Sequence, residues 1–390
     1  MKGIQTESES YQRHSRVRQL TGNGVQENLS VSHLDTSRKM TFQPTSFQNL
    51  SIAVLDGLQN STNSTGCQDA EAWSWVYAHG PAYISIICAL GILLNLFVLI
   101  VFCFHNKPCT VAEIFLGNLA AADLILVCCL PFWVVNIANS FNWPFGQFLC
   151  KAVNVGIKIN VYCSTYFLVL VSIDRYIALV HGLSHGRLRR PKYAKLSCVI
   201  TWGFGLLLSI PAFIFREVEY FPLYGVHACY LAYPSQTIEL FYNGALIFLS
   251  FLLPISVISF CTWRIICALK KQAIDRINAE KTEQKATILV LVVLLVFLFC
   301  WVPFHLATML DLLLKAHILT GCNLEIALDI CNQFFTYMGF FNSVLNPILY
   351  VVVGKNFRKK VQELSKQWRN KRRLTESTRS NVSSTLKTLV

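Results

Sequence analysis

Few residues in this chain could do chemistry, and the informative ones are charges set in apolar surroundings. Lys158 lies inside Cys150–Tyr176, an apolar run of helix length that also holds several amides and hydroxyls. Desolvating an ammonium there is costly, so a cation in such a segment marks a functional site. The bland reading is a structural charge paired inside the protein. The same run ends in Asp174-Arg175-Tyr176, an acid–base pair suited to a switch or to an interfacial ion pair. Asp123 stands within a second apolar run, where a carboxylate must find partners. Asp311 and Asp329 top two further runs and could receive a cation, although solvated loop charge is the commoner explanation for such residues. No nucleophile–base constellation, phosphate loop or metal-spaced histidine cluster is present, so binding and switching are expected rather than enzymatic turnover.

The elements that must position these residues follow from composition. Of 390 residues, 54% are apolar and only 14% charged, with a mean hydropathy of +0.45. Seven runs, near 81–104, 112–138, 149–180, 196–215, 240–263, 286–314 and 326–353, are long enough to span a bilayer as helices. The expectation is an all-α seven-helix transmembrane bundle over 79–353, with a polar tail over 1–78. The formal charge of +13 resembles a nucleic-acid signal until it is located. Of the 34 Lys and Arg residues, 23 fall around 105–110, 182–195, 264–285 and 354–390, the odd-numbered connections and the C-terminal tail. Positive loops stay cytoplasmic. This argues for an extracellular N-terminus, a cytoplasmic C-terminus, a basic face toward membrane lipids, and no nucleic-acid partner.

The polar tail carries acceptor sequons at Asn28, Asn49, Asn60 and Asn63. Its start has no apolar segment of signal-peptide type, so the first span is expected to act as the anchor. Of fifteen cysteines, Cys67, Cys150, Cys229 and Cys322 fall at outer positions, where an oxidising exterior permits two disulfides. Pro254, Pro303 and Pro347 interrupt three successive spans. Each removes a backbone hydrogen bond and survives in a bilayer only where a neighbour satisfies the freed carbonyl. After the last span, Phe357, Val361 and Leu364 share one helical face opposite a basic one, which predicts an inner-leaflet helix over 354–366. Residues 375–388 hold eight Ser and Thr among few apolar residues, so 367–390 is expected to be a disordered cytoplasmic tail open to phosphorylation.

Asp174-Arg175-Tyr176 ending a third span, FxxCWxP over Phe297–Pro303 in a sixth and NPxxY over Asn346–Tyr350 in a seventh form a combination. It resembles the rhodopsin-like (class A) G-protein-coupled receptors, continuously over 79–365. The resemblance implies a hallmark residue in each span: Asn95, Asp123, Arg175, Trp202, Pro254, Pro303 and Pro347. It implies a Cys150–Cys229 disulfide tying the third span to the second outer loop. It also implies a buried sodium site at Asp123, Asn160, Ser164, Asn342 and Asn346, against the alternative of a water-bridged polar cluster without the ion. Activation switches would be Asp174, Arg175, Tyr176, Glu283, Trp301, Pro303, Pro347 and Tyr350, with Glu283 pairing with Arg175 to hold the resting state closed. Leu94, Thr262 and Thr165 depart from the family pattern and leave the details of activation open.

The stretches CTVAEIFLGNLAAADLIL, LPFW, FNWPFG, SIDRY, LVLVVLLVFLFCW and LNPILYVVVGKNFRKK resemble the vertebrate bradykinin (kinin) receptors more closely. That implies a second disulfide, Cys67–Cys322, and a plasma-membrane receptor for a short cationic kinin. AAADLI and the sixth span look like the type 2 group. EAW before the first span, FNWPFG, SIPAFIFR and above all Lys158 look like type 1, which prefers the kinin lacking its terminal Arg. Buried Lys158 would repel a terminal guanidinium and attract a carboxylate. The ligand wall is expected to comprise Lys158, Asn154, Arg216, Trp133, Phe304 and Gln333, with Asp311 and Asp329 receiving the cationic end of the peptide. The implied partners are a Gq-class G protein acting through phospholipase C and calcium, receptor kinases and arrestin. The implied ion is an allosteric or structural sodium, with no other cofactor. A type 2-like receptor for full-length kinin, an angiotensin- or chemokine-like peptide receptor and, remotely, a seven-span transporter or channel are the alternatives.

Overall fold

The computed structural model describes residues 70–181, 190–222, 225–275, 281–320, 322–352 and 355–388. The chain divides into two units, Met1–Phe42, which lies outside the described residues, and Gln43–Val390, which holds everything described below. In order come α1 (Ala70–Phe104), α2 (Val111–Ala138), α3 (Gly146–Tyr176), α4 (Pro191–Phe215), β1 (Arg216–Phe221) and β2 (Val226–Leu231). They are followed by α5 (Gln236–Ile247), α6 (Leu253–Asp275), α7 (Lys281–Lys315), α8 (Cys322–Val352) and α9 (Lys355–Thr388). α5 and α6 are one span joined through a π-helical turn, Phe248–Leu252. α1 packs on α2, α2 on α3, α7 on α8, and α8 back on α1 and α2. α3 is central, touching α2, α4, α6, α7 and β1.

This is the seven-helix bundle that the hydropathy predicts. Among the described residues, six helices are apolar enough to cross a membrane by length and composition alone. α8, the seventh, instead buries a polar stripe of Asn332, Gln333, Thr336, Asn342, Ser343 and Asn346 toward its neighbours. The core is buried between helices, with Phe167, Leu168, Leu119 and Tyr350 closed off on the α3 side. Ile200, Leu207 and Phe213 of α4 face outward, as lipid-facing residues would.

Local chemistry fixes several ends. Thr110 caps α2 in a reciprocal box: the Glu113 amide donates to Thr110 Oγ1 at 3.4 Å, and the Thr110 amide donates to Glu113 Oε2 at 2.7 Å. Pro191 opens α4 at a position where its missing N–H costs nothing. Pro254 lies two residues past the π-turn and has no N–H to give to the carbonyl five residues earlier. That carbonyl, on Leu249, receives the Tyr166 hydroxyl from α3 at 2.9 Å. A neighbouring helix thus supplies the donor that proline removed.

Two boundaries differ from the sequence expectation. α1 begins at Ala70, inside the stretch assigned to the polar tail. α9 runs to Thr388 rather than stopping near 366, so the tail expected to be disordered is helical over most of its length. No Gly or Pro interrupts 355–388, and its Lys, Arg, Gln and Glu residues favour helix. The near end of α9 docks as expected: Phe357 and Leu364 are buried, and Phe357 meets Phe97, Phe102 and Tyr350 edge-on. Ion pairs flank the apolar contact. Lys360 reaches Glu113 at 3.0 Å, while Glu363 takes Lys107 at 2.9 Å and His105 at 3.0 Å. Those two donors hold the Glu363 carboxyl below its ordinary range.

Candidate functional site

At one end of the bundle, β1 and β2 form an antiparallel hairpin where the sequence suggested only a loop. Val218 pairs with Cys229 and Arg216 with Leu231. Gly225, at φ +65°, makes the turn that a side chain would strain. The hairpin is pinned from below. Gln147 donates to the Arg216 carbonyl at 2.9 Å and accepts the Val218 amide at 2.7 Å. The Trp143 amide donates to the His227 carbonyl at 2.8 Å, and the His227 amide to Asn142 Oδ1 at 2.9 Å. Cys229 bonds covalently to Cys150 near the start of α3, as expected. The alternating, aromatic-rich runs on either side of Gly225 were the available signal for the hairpin.

Arg216, the first residue of β1, is 4% exposed. One guanidinium nitrogen donates to the Cys229 carbonyl at 3.2 Å, while Nε has no hydrogen-bond partner. Burial lowers its pKa to about 10, leaving it cationic at neutral pH. Lys158, two turns along α3 from Cys150, is partly buried and lies within electrostatic reach of Arg216 and of His305 on α7. Among the described residues, neither Lys158 nor Arg216 makes an ion pair. His305, which the sequence reading did not single out, is buried, stacked on Phe251 at 4.6 Å, and has no partner for Nδ1. Beneath it Trp301 meets Phe304 edge-on at 5.7 Å. A buried and a partly buried cation within electrostatic reach, neither in an ion pair among the described residues, can receive an anion.

The other expected wall residues divide. Asn154 is already engaged: its amide donates to the Cys150 carbonyl at 2.7 Å and toward the Cys229 sulfur at 3.4 Å, so it braces the disulfide. Trp133 is buried on α2, and Gln333 on α8 beside Tyr337. Asp329 is buried. Asp311, expected to await a ligand cation, already has one: Lys315 Nζ lies 3.1 Å from Asp311 Oδ2 and 3.3 Å from Glu239 Oε1. Lys315 and Glu239 were absent from the sequence reading because their pairing spans α5 and α7.

Deeper in the bundle Asp123 is fully enclosed. Asn160 and the Ser343 hydroxyl donate to Oδ1, each at 3.1 Å, and Asn346 donates to Oδ2 at 2.9 Å. Asn95 donates to the Ser343 carbonyl at 3.0 Å. Ser343 is an addition to the expected set. Four buried oxygens, on Asn95 and on three of the residues expected at the sodium site, lack hydrogen-bond partners: Asn95 Oδ1, Ser164 Oγ, Asn342 Oδ1 and Asn346 Oδ1. The donors converge on the carboxylate and the unpaired atoms are oxygens, a set whose chemistry fits a small hard cation.

At the opposite end of α3, Arg175 Nε donates to Asp174 Oδ2 at 3.0 Å, and a terminal guanidinium nitrogen contacts the same oxygen. Tyr176 meets Phe260 of α6 edge-on at 5.9 Å. Tyr350 is 1% exposed, and its hydroxyl has no hydrogen-bond partner. Pro303 and Pro347 lie inside α7 and α8. Thr165 of the central packing region donates to its own helix at Val161, 2.8 Å away. The Glu283 side chain, Cys67 with the expected Cys67–Cys322 bond, and Asn28, Asn49, Asn60 and Asn63 lie outside the described residues.

Residues 94–350 match the family described as 7 transmembrane receptor (rhodopsin family). The chain is 49% identical to the mouse B2 bradykinin receptor over 81% of each protein. It is 48% identical to the human B2 bradykinin receptor over 76% of this chain and 77% of that one. It is 41% identical to the B1 bradykinin receptor of Chlorocebus aethiops over 78% of this chain and 88% of that one.

Proposed function

The chain belongs to the rhodopsin family of seven-transmembrane receptors, within its bradykinin receptor group, and from that premise we propose that it is a kinin receptor preferring the des-Arg peptide. A receptor of this family is a multi-pass membrane protein and not an enzyme. The observation that supports the ligand reading is that partly buried Lys158 lies within electrostatic reach of buried Arg216, and neither makes an ion pair among the described residues. A carboxylate ending the peptide one residue early would neutralise them, while a terminal guanidinium would add a third like charge.

In this reading the disulfide end faces outside and the Arg175 end inside, in keeping with the basic connections. Agonist favours the open arrangement of the Arg175 end by binding it better than the closed one. Arg175, held by Asp174, and the unpartnered Tyr350 hydroxyl would find new partners when a Gq-class G protein docks. Arrestin and receptor kinases would act on the Ser/Thr residues of α9. Sodium would be held by Asp123, Ser164, Ser343 and the amide oxygens around them, offsetting the buried carboxylate.

The identities to B2 receptors exceed those to the B1 receptor quoted above, which favours a second reading, a type 2-like receptor for full-length kinin. Competition binding on membranes from cells expressing the full chain separates the two. Des-Arg kinin displacing a radiolabelled kinin at lower concentration than the full-length peptide supports the first reading. The reverse order supports the second, and displacement only by an unrelated peptide removes both.

A further inference from the structure

We propose that Lys315 is a built-in cation that weakens the hold of the disulfide end on cationic ligand groups, and that Glu239 is a third acid of that region. The inference rests on the kinin reading, because it concerns how a cationic peptide end is received. Lys315 closes α7, and Glu239 stands in the first turn of α5. The ammonium lies between Glu239 and Asp311, and the three side chains are 5%, 7% and 12% exposed. The placement is built rather than incidental: Gln236 of α5 donates to the Lys315 carbonyl at 2.8 Å, and Ser235 caps the helix that carries Glu239.

Charge gives the arrangement its consequence. Two carboxylates and one ammonium leave a single net negative charge where two would stand without Lys315. An incoming guanidinium or ammonium must share Asp311 and Glu239 with a cation already tethered in place. In so shielded a setting that shared field is not averaged away by water and salt. Lys315 is therefore a specificity-determining residue. It lowers affinity for strongly cationic peptide ends and leaves neutral ones indifferent. A purely structural role, a strut between α5 and α7, would instead affect all ligands alike.

Lys315→Met keeps the aliphatic stem and removes the charge. The full-length receptor and this variant are compared in membranes with two probes, a des-Arg kinin with its native cationic N-terminal end and the same peptide with that end acetylated and its basic residue replaced by Gln. The expected result is a gain of about tenfold in affinity for the cationic probe with no change for the neutral one. Glu239→Gln, which leaves Asp311 to hold the ammonium, should shift the cationic probe alone in the opposite direction and serves if Lys315→Met fails to reach the membrane. Parallel losses for both probes, or no selective shift in either variant, would overturn the inference while leaving the receptor reading intact. Failure of the unsubstituted receptor to bind either probe would overturn the ligand reading, and this inference with it.

Discussion

Asp123 and Lys158 are both ionisable residues set inside the bundle, and their surroundings are opposites. Asp123 receives three hydrogen bonds from neutral donors on α3 and α8, so both its oxygens are bonded within the chain itself. Lys158 lies within electrostatic reach of another cation, Arg216, and of the His305 ring. Burying an unsatisfied charge is expensive, and like charges brought together cost more. The chain's own donors therefore meet the Asp123 carboxylate, with sodium as its proposed companion, whereas on the proposed reading the Lys158 region takes its counter-charge from the peptide. The difference separates a charge hydrogen-bonded within the bundle from one that makes no ion pair among the described residues.

The substitution that strikes hardest at this contrast is Lys158→Ser. If the region awaits a carboxylate, the ratio of full-length to des-Arg kinin affinity should move about 100-fold toward the full-length peptide, roughly 3 kcal/mol of a desolvated charge pair. Radioligand competition with both peptides reads it directly. An unchanged ratio would return Lys158 to a structural charge and dissolve the comparison.

Asp123→Asn tests the other side. Three donors aim at the carboxylate, so an amide nitrogen placed there faces at least one of them. A loss of about 2 kcal/mol in stability is expected. Any dependence of agonist affinity on sodium should vanish with the charge. Thermal denaturation of detergent-purified receptor and agonist binding in sodium against a larger organic cation measure the two effects. Full stability together with retained sodium dependence would show that Asp123 is not the centre of the cluster.

These two centres were legible in the sequence to different degrees. Asp123, Asn160 and Asn346 could be assembled from hallmark positions, and the fold joins them. Ser343 escaped because a serine beside Asn342 in an apolar helix carries no signal until the helix phase is known. Lys158 was conspicuous as a lone cation, but its companion His305 looks like any residue of an aromatic run. Asp311 was read as an acid that receives the cationic end of a peptide, and the fold sets Lys315 beside it. Whether a carboxylate is paired depends on side-chain direction as well as spacing, and here the cation lies four residues on along the same helix, shared with Glu239 from another. The seven spans came from composition alone, since apolarity over helix lengths is a one-dimensional property. The hairpin carrying Cys229 is set by register between two short strands, and the length of α9 by the absence of helix breakers in a polar segment. Both are weaker signals than a run of twenty apolar residues.

Arg216→Gln sharpens the contrast at smaller amplitude. Arg216 already donates to the Cys229 carbonyl, so only part of its charge is available to a ligand. About a tenfold loss, roughly 1.4 kcal/mol, is expected for a peptide ending in carboxylate, against no change for its C-terminal amide. Equal losses for both peptides would mean that Arg216 serves the hairpin and not the anion.

The smallest effect is expected at Tyr166→Phe, which asks whether a neutral neighbour can complete a helix as the neutral donors complete Asp123. Pro254 leaves the Leu249 carbonyl without the N–H that the π-turn would supply, and the Tyr166 hydroxyl fills that place. Removing only the hydroxyl preserves the ring, which packs edge-on against Phe204 at 5.2 Å, and strands a carbonyl in apolar surroundings. The cost should be about 1 kcal/mol, seen as a fall of roughly 2–4 °C in Tm for a domain of this size. Ligand selectivity should not move, because the carbonyl is neutral and its donor belongs to the packing between α3 and the fifth span. A changed ratio of des-Arg to full-length affinity would mean that the π-turn is mechanically coupled to Lys158 on the same helix. The separation between self-completed and ligand-completed regions would then be one of degree.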